Sequence, residues 1–493
     1  MPTLSPRPLE LRERPRSLID VTLDPLQRMA AERPAGGTML VLGEAGHGKT
    51  TVALHRLAHL YKCASGRFRA VVLVPHVGLE RLLQPLVTRL GADVDVLCYE
   101  RWARRQARRT FGDIPRRESP SVPSGVIRIK RDPAVIPLLH ELARLPPGKI
   151  DDDADAPPPD TRAHAQRGDL QHLFGDGERM RRVAAASAIP ASAVAAILEH
   201  THVQFLERSE RVYAHVDAER LAAIDARSLD AGTSNENAAS IDSEDYAVLF
   251  ELDRMRALHA GLRPSRPRRY DCIVLDEAQE FAPLELSLIG RSLARDATLV
   301  VAGDADQQTD PAASFRDWAS SMRALRIRDY ETITLDVGYR CPPPVAAFAG
   351  ALRRGLAVPA SVPLRPFADE PALVDWLVVE LLALEEAGEN GSFCLIARTR
   401  ERARRLAGAL RGRVPVKLVL DGDFVFHRGV DVTTIEQVKG LEFDYVVVAD
   451  ADAIAYPDTA EGRRALYVAA TRARHELVLA CTATPTPLMA AGT

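Results

Sequence analysis

The run Gly43-Glu44-Ala45-Gly46-His47-Gly48-Lys49-Thr50 constrains the fold of this chain more than any other segment, because of what lies on either side of it. Before it, Thr38-Met39-Leu40-Val41-Leu42 is a short apolar run of the kind that forms a buried parallel strand. After it, Thr51-Val52-Ala53-Leu54-His55-Arg56-Leu57 places apolar residues at helical spacing. A strand, a glycine-rich turn and a helix in that order belong to an open α/β sheet, with the turn at the sheet's C-terminal rim. Gly43, Gly46 and Gly48 allow successive backbone N–H groups to curl around phosphate oxygens, and the start of the helix adds positive potential. Lys49 is expected to reach the terminal phosphates and the Thr50 hydroxyl to ligate Mg²⁺, with Thr51 completing the loop. The expected ligand is a nucleoside triphosphate; a chance glycine-rich turn is the alternative.

A second cluster argues against chance. Cys272-Ile273-Val274-Leu275 is a β-rich apolar run that ends in Asp276-Glu277-Ala278-Gln279-Glu280, which puts adjacent acids where open α/β sheets place their ligands. Asp276 is expected to hold Mg²⁺ through water, and Glu277 to orient and deprotonate the water that attacks the γ-phosphate. An isolated Asp-Glu pair after a strand is more often the start of a solvated loop. The loop at Lys49 tips the balance to the functional reading.

With both motifs in place, the chain resembles superfamily 1 helicases of the UvrD, Rep and PcrA type from about Leu23 to Leu479. Leu23-Asp24-Pro25-Leu26-Gln27 is similar to the family's adenine-reading segment, which implies that the Gln27 amide donates to and accepts from the base. Val301-Ala302-Gly303-Asp304-Ala305-Asp306-Gln307 resembles the segment that links γ-phosphate to nucleic acid through a glutamine, here Gln307. Gly338-Tyr339-Arg340 matches a pair in which the tyrosine stacks on adenine and the arginine contacts the γ-phosphate. Thr434 to Asp444 carries the Lys-Gly-Leu-Glu-Phe motif, with Gly440 near the nucleotide and Glu442 at the ribose. Leu466 to Arg474 carries a second arginine finger at Arg472. The resemblance implies an α/β fold with two RecA-like P-loop NTPase lobes, each with a parallel sheet. The cofactors implied are ATP and Mg²⁺. The activity implied is movement on single-stranded DNA, running 3′ to 5′. Arginines supplied from the far lobe would complete the site only when the cleft closes.

The motifs also divide the chain. Residues 23–100 and 269–335 carry the first lobe, residues 101–268 form a mostly helical insertion, and residues 336–493 form the second lobe. Residues 1–22 are expected to be a flexible tail, and an acidic, proline-rich segment near 151–160 a disordered linker. An alanine-rich helical region is expected near Val183–Leu198, a loop around Ala231–Ser243, and second-lobe strands at Phe393–Ala397, Val416–Leu420, Val430–Thr434, Tyr445–Ala449 and Glu476–Ala480.

Composition enters at the nucleic-acid question. With a formal net charge of −3 over 493 residues there is no global basic signature, so a strand must be met by a local patch. Arg101, Arg104, Arg105, Arg108 and Arg109 supply one at helical spacing, with Trp102 available for stacking. A solvated arginine-rich helix is the bland alternative. The six cysteines show no Cys-x-x-Cys pair, no apolar run is long enough to span a membrane, and no signal peptide is visible. The expectation is a reduced, cytoplasmic protein without a structural metal.

Departures from the UvrD pattern shape the rest. Few residues separate Arg340 from Thr434, where UvrD-type enzymes insert a large accessory domain, so that domain is expected to be absent. After Gln307 the family's stacking aromatic is replaced by Gln308-Thr309-Asp310-Pro311, and Glu436 stands where many relatives have histidine. Val52 to Tyr61, the Asp276 segment with Pro283-Leu284-Glu285-Leu286, and Tyr339-Arg340-Cys341-Pro342 resemble the HelD branch, whose members bind and recycle RNA polymerase. The long N-terminal arm of that branch is not expected here. The leading function is an ATP-driven translocase or helicase on single-stranded DNA. The alternative is an ATP-dependent remodeller of a protein–nucleic-acid complex, such as RNA polymerase or a repair or defence assembly, gripped through residues 101–268. A binding module without turnover conflicts with so full a set of ATP-site residues.

Overall fold

The structure is a computed structural model that describes residues 22–145, 165–207, 237–308, 310–338, 341–386, 391–424 and 429–489. The expected tail before residue 22, the acidic segment at 151–160, residues 231–236 of the expected loop, and Tyr339 and Arg340 lie outside the described residues.

Two parallel six-stranded sheets organise the chain. In the first, β1 (Gly37–Gly43), β2 (Ala70–Val74), β3 (Asp95–Cys98), β4 (Tyr270–Leu275), β5 (Leu293–Gly303) and β6 (Glu331–Leu335) lie in the order β3-β2-β4-β5-β1-β6. Its central strands read as unbroken apolar runs because both faces are covered; Val41, Val72, Ile273, Val274, Val300 and Val301 are fully buried. Register fixes what the rim presents. Leu42 pairs with Gly303, Gly43 with Leu335, and Leu275 with Val301. The segments that leave β1, β4 and β5 therefore emerge side by side at one edge, where this class of sheet gathers its ligands.

Between β3 and β4 the chain is helical: Tyr99–Thr110, Ser124–Arg131, Val135–Leu142, Arg167–Phe174, Gly177–Ala186, Ala191–Phe205 and Ser243–His259. These helices share one core with the first sheet, since Leu40, Val71 and Leu73 belong to the same buried cluster as Trp102, Ile129, Leu173 and Phe250. The helical region expected near Val183–Leu198 is two helices rather than one. Pro190 caps the second, and a residue before proline is disfavoured in the helical region, so the chain turns between Ala186 and Ala191.

The second sheet contains β7 (Leu364–Pro366), β8 (Phe393–Ala397), β9 (Val416–Leu418), β10 (Val430–Thr434), β11 (Phe443–Val448) and β12 (Ala473–Cys481), ordered β7-β12-β11-β8-β10-β9. The expected strand at Val416–Leu420 is shorter than its apolar run, and the other four lie within two or three residues of their expected ends. Helices Glu370–Glu386 and Arg400–Leu410 cover one face. Helices Pro343–Arg354 and Ala460–Ala470 pack on the other face, and a single buried cluster holds Val72 and Val274 of the first sheet together with Ile396 and Val446 of the second. The two lobes thus meet through apolar contact as well as through charge. Among the described residues no helix is long and apolar enough to cross a membrane.

One polar cluster lies deep in the insertion. Lys130 donates to Asp242 and Asp245 at 2.7 Å each, and Asp242 also meets His200 at 2.8 Å. All three charged side chains are fully buried, so each carboxylate depends on the one ammonium. Burial disfavours the charge on Lys130, but the two carboxylates outweigh it and hold the ammonium protonated. Removing one member of such a pair strands the other. Lys130→Ala is expected to lower the free energy of unfolding by about 3–5 kcal/mol, measured by urea denaturation.

Candidate functional site

The glycine-rich loop leaves β1 and enters helix Lys49–Cys63, whose N-cap is Gly48. Gly48 has φ +86°, and a Cβ there would stand 2.7 Å from Gln27 Nε2, so the position requires glycine twice over. The Lys49 ammonium donates to Gly43 O at 2.8 Å and Glu44 O at 2.9 Å, and lies 3.9 Å from Asp304 Oδ2. The Thr50 hydroxyl donates to Asp276 at 2.9 Å. Lys49, Thr50 and Asp276, drawn from two strand ends more than two hundred residues apart, thus converge on one spot.

Asp276 is almost fully buried, and its carboxyl is pushed up to about 7, chiefly by desolvation and then by the charge of Glu277. Thr50 and Lys49 only partly offset this. The pair is therefore short of positive charge, and a divalent cation would supply it. Glu277 holds φ +52°, a left-handed conformation that is costly for a residue with a side chain and tends to persist where a site demands it. Its Oε2 accepts from Gln279 Nε2 at 2.6 Å, and Gln279 Oε1 accepts from Asp304 N at 3.0 Å. Asp304 Oδ2 in turn accepts from Gln307 Nε2 at 2.9 Å. The ends of β4 and β5 are tied together through these amides.

The second lobe closes over this rim. Arg472, 3 % exposed, donates from Nη2 to Gln307 Oε1 at 2.5 Å, while Nε and Nη1 are held by Val468 O and Leu441 O of its own lobe. Tyr467 reaches Asp304 Oδ2 at 3.4 Å, and burial raises its hydroxyl pKa far out of the titrating range. Gly440, with φ +68°, sits against Leu79 and Glu277, and a Cβ there would stand 3.1 Å from Glu277 Oε1. Next to it, Lys439 Nζ pairs with Glu280 Oε2 at 2.8 Å, and Lys439 O meets His76 Nε2 at 2.7 Å. Glu442 lies 3.8 Å from Arg474 Nε.

Several sequence expectations change in position. Gln27 is buried, its Oε1 accepts from Asp24 N and its Nε2 donates to His47 O, so its amide braces the loop from behind. Trp102 is a correction: it is 0 % exposed, packed 5.9 Å from Tyr99 within the core under the insertion, and offers no surface for a base. Its helix buries Trp102, Ala103, Gln106 and Ala107 as one face, which the arginine spacing concealed. The arginines of that helix are a partnered outer face. Arg101 pairs with Glu80, Arg104 with Glu118 and Arg105 with Asp95; Arg109 has no ion-pair partner among the described residues. Trp318 packs against Gly303 and Phe315.

A surface of mixed charge lies elsewhere. A cavity of about 850 Å³ opens between the insertion and both lobes, lined by Arg128 and Arg131 of helix Ser124–Arg131, by His76, Glu280 and Asp310 of the first lobe, and by Arg398, Glu436, Lys439 and Arg464 of the second. Arg128 and Arg464 have no carboxylate partner among the described residues, while Arg398 pairs with Glu461 at 3.2 Å and lies 3.7 Å from Glu436, both of which also line the cavity. Sequence reading missed Arg128, Arg464, His76, Glu280 and Asp304. Their one available signal was position: His76 and Asp304 follow β2 and β5 at the rim that already held Asp276, and Glu280 follows Glu277 by one short turn.

Residues 429–480 match a family model described as the UvrD-like helicase C-terminal domain, a span that covers β10, β11, helix Ala460–Ala470 and nearly all of β12, and so contains Lys439, Gly440, Glu442 and Arg472. No curated protein matches the chain. Among solved structures, the C-terminal domain of a possible DNA helicase from Lactobacillus plantarum WCFS1 is 25 % identical, covering 32 % of this chain and 95 % of that one, with a TM-score of 0.27, too low for a structural inference.

Two tests follow from the closure. Gly440→Ala is expected to destabilise the protein by about 1–3 kcal/mol in chemical denaturation, since the left-handed backbone and the contact with Leu79 both oppose a Cβ. The His76 imidazole is lowered to about 4, first by desolvation, so the native state prefers it neutral. Its contribution is complete above pH 6.5, the ordinary value, and is lost as the pH falls toward 4. The denaturation midpoint of the wild type should therefore drop more steeply across that window than that of His76→Gln.

Proposed function

We propose that the chain is a UvrD-like, ATP-dependent motor on single-stranded DNA, with two RecA-like lobes that hydrolyse ATP at the cleft and grip the strand in the adjoining cavity. The observation that carries this reading is the Arg472–Gln307 contact at 2.5 Å, which joins the second lobe to the rim that holds Lys49, Asp276 and Glu277. A site divided between two lobes, with a cavity between the same lobes that presents the guanidinium groups of Arg128 and Arg464, is what a strand-coupled hydrolase requires.

In this mechanism Lys49 exchanges the loop carbonyls of Gly43 and Glu44 for phosphate oxygens of ATP. The Thr50 hydroxyl and Asp276 carboxylate would hold Mg²⁺, which when bound supplies positive charge at the phosphate oxygens and at the charge-deficient Asp276. Glu277 accepts a proton from the attacking water as its oxygen bonds to the γ-phosphorus. The bond from that phosphorus to the bridging oxygen breaks, and ADP and phosphate leave. Arg472 and Arg340 neutralise the developing charge from the second lobe. Tyr339 would stack on the adenine and Glu442 would meet the ribose, as in the family the motifs resemble. Gln307, bonded to both Asp304 and Arg472, senses whether the cleft is closed. Arg128 and Arg464 are the groups best placed to take strand phosphates, being the lining guanidinium groups without carboxylate partners. Translocation runs 3′ to 5′ in this reading, following the UvrD-like relatives.

Steady-state ATP hydrolysis, measured with and without single-stranded DNA, tests it. The wild type should be stimulated by the strand, Lys49→Ala should be inactive in both conditions, and Arg472→Ala should lose about 10³-fold or more in kcat. A wild-type rate indifferent to DNA, or an active Lys49→Ala protein, contradicts it.

A further inference from the structure

The short turn Ala278–Glu280 follows Glu277 at the cleft and ends at Glu280, which lines the cavity. On the cleft side Glu277 precedes the turn and is held by Gln279. On the cavity side Glu280 Oε2 takes the Lys439 ammonium at 2.8 Å, while its other oxygen, Oε1, is buried with no hydrogen-bond partner among the described residues. Glu280 is 5 % exposed, so its charge is stabilised by Lys439 with little help from solvent. The backbone of the same residue is fixed from the insertion: Arg131 donates to Glu280 O at 2.7 Å, to Asp310 at 2.7 Å, and to both oxygens of Glu285 at 3.0 and 3.1 Å.

Lys439 and Arg131 both line the cavity, and both are neutralised by carboxylates of the first lobe. An anionic polymer in the cavity competes for those cations. Arg131 has three carboxylate or carbonyl partners and a bidentate grip on Glu285, so it resists exchange. Lys439 has one carboxylate and a flexible stem, so it yields first.

From this arrangement we infer that the Lys439–Glu280 ion pair is a gate: strand phosphates draw Lys439 away from Glu280, the turn loses its direct ion pair with the second lobe, and Glu277 shifts relative to the nucleotide. Glu280 is then a positioning residue, acting on the attacking water through Glu277. Glu277 precedes the turn in a left-handed φ that is kept only while the surroundings enforce it, so it is the residue that registers a change in the turn's ties. The inference rests on the proposed strand-dependent hydrolysis and names the contact that conveys it.

The test is Glu280→Gln, which keeps the shape of the side chain and removes the charge that holds Lys439. Hydrolysis is measured with and without single-stranded DNA, alongside a thermal melt and a second variant, Lys439→Gln, which breaks the same pair from the other side. Both variants should raise the rate without strand by about fivefold or more, within the usual range of a coupling between sites, and bring the ratio of stimulated to unstimulated rate toward one. A merely structural role would lower the melting temperature and leave that ratio as in the wild type. A folded Glu280→Gln protein with the wild-type ratio overturns the gate, and if that variant does not fold, an unchanged ratio in Lys439→Gln does so instead. Absence of stimulation in the wild type refutes the strand reading by itself, whereas stimulation that persists undiminished in the variants refutes the gate alone.

Discussion

The buried guanidinium of Arg472 is the contact on which the cleft depends. A guanidinium out of water must have its N–H groups met, and here its own lobe holds all three nitrogens, through Val468 O, Leu441 O and the Thr471 hydroxyl, before any group crosses the cleft. The arginine is therefore aimed in advance, and closing the lobes adds one bond to Gln307 rather than ordering a long side chain. The chain that begins there, through Gln307, Asp304 and Gln279 to Glu277, ties the second lobe to the acid at the end of β4. Every bond in it is between buried groups, where such bonds are strengthened by low dielectric and costly to leave unmade.

The same economy explains why so much charge can be buried at the rim. Asp276 and Glu277 are adjacent acids in a site that desolvates both, and the structure answers with Lys49, the Thr50 hydroxyl and the Gln279 amide. That answer is incomplete, as the raised carboxyl of Asp276 indicates.

Much of the fold was legible in the sequence, for a reason peculiar to parallel sheets. Strands covered on both faces are apolar throughout, so Thr38–Leu42, Cys272–Leu275, Phe393–Ala397 and Val430–Thr434 announce themselves without needing a partner strand. Lys49, Thr50, Asp276 and Arg472 were legible because each belongs to a motif whose spacing is fixed by local backbone geometry. The cavity was not. Its cations come singly, from Arg128, Arg131, Arg398, Lys439 and Arg464, and only tertiary packing brings them together. The arginine-rich run at 101–109 drew attention instead because its charges are contiguous, yet contiguity on a helix with one buried face gives a solvated, ion-paired surface. Trp102 shows the same limit in reverse: an aromatic among arginines suggests stacking, and the helical period that buries it every third or fourth residue was the better guide.

In the proposed mechanism nucleotide and strand act through one closing cleft. It is tested most directly by the distance between the lobes, read by pulsed electron paramagnetic resonance between a label on Cys63, exposed at the end of the helix after the glycine-rich loop, and one at Leu356→Cys, exposed on the second lobe. The distance should shift when a non-hydrolysable ATP analogue is added, shift again when single-stranded DNA follows, and fail to respond to the analogue in Arg472→Ala. A distance that stays the same in all three conditions would contradict a cleft that works by closing.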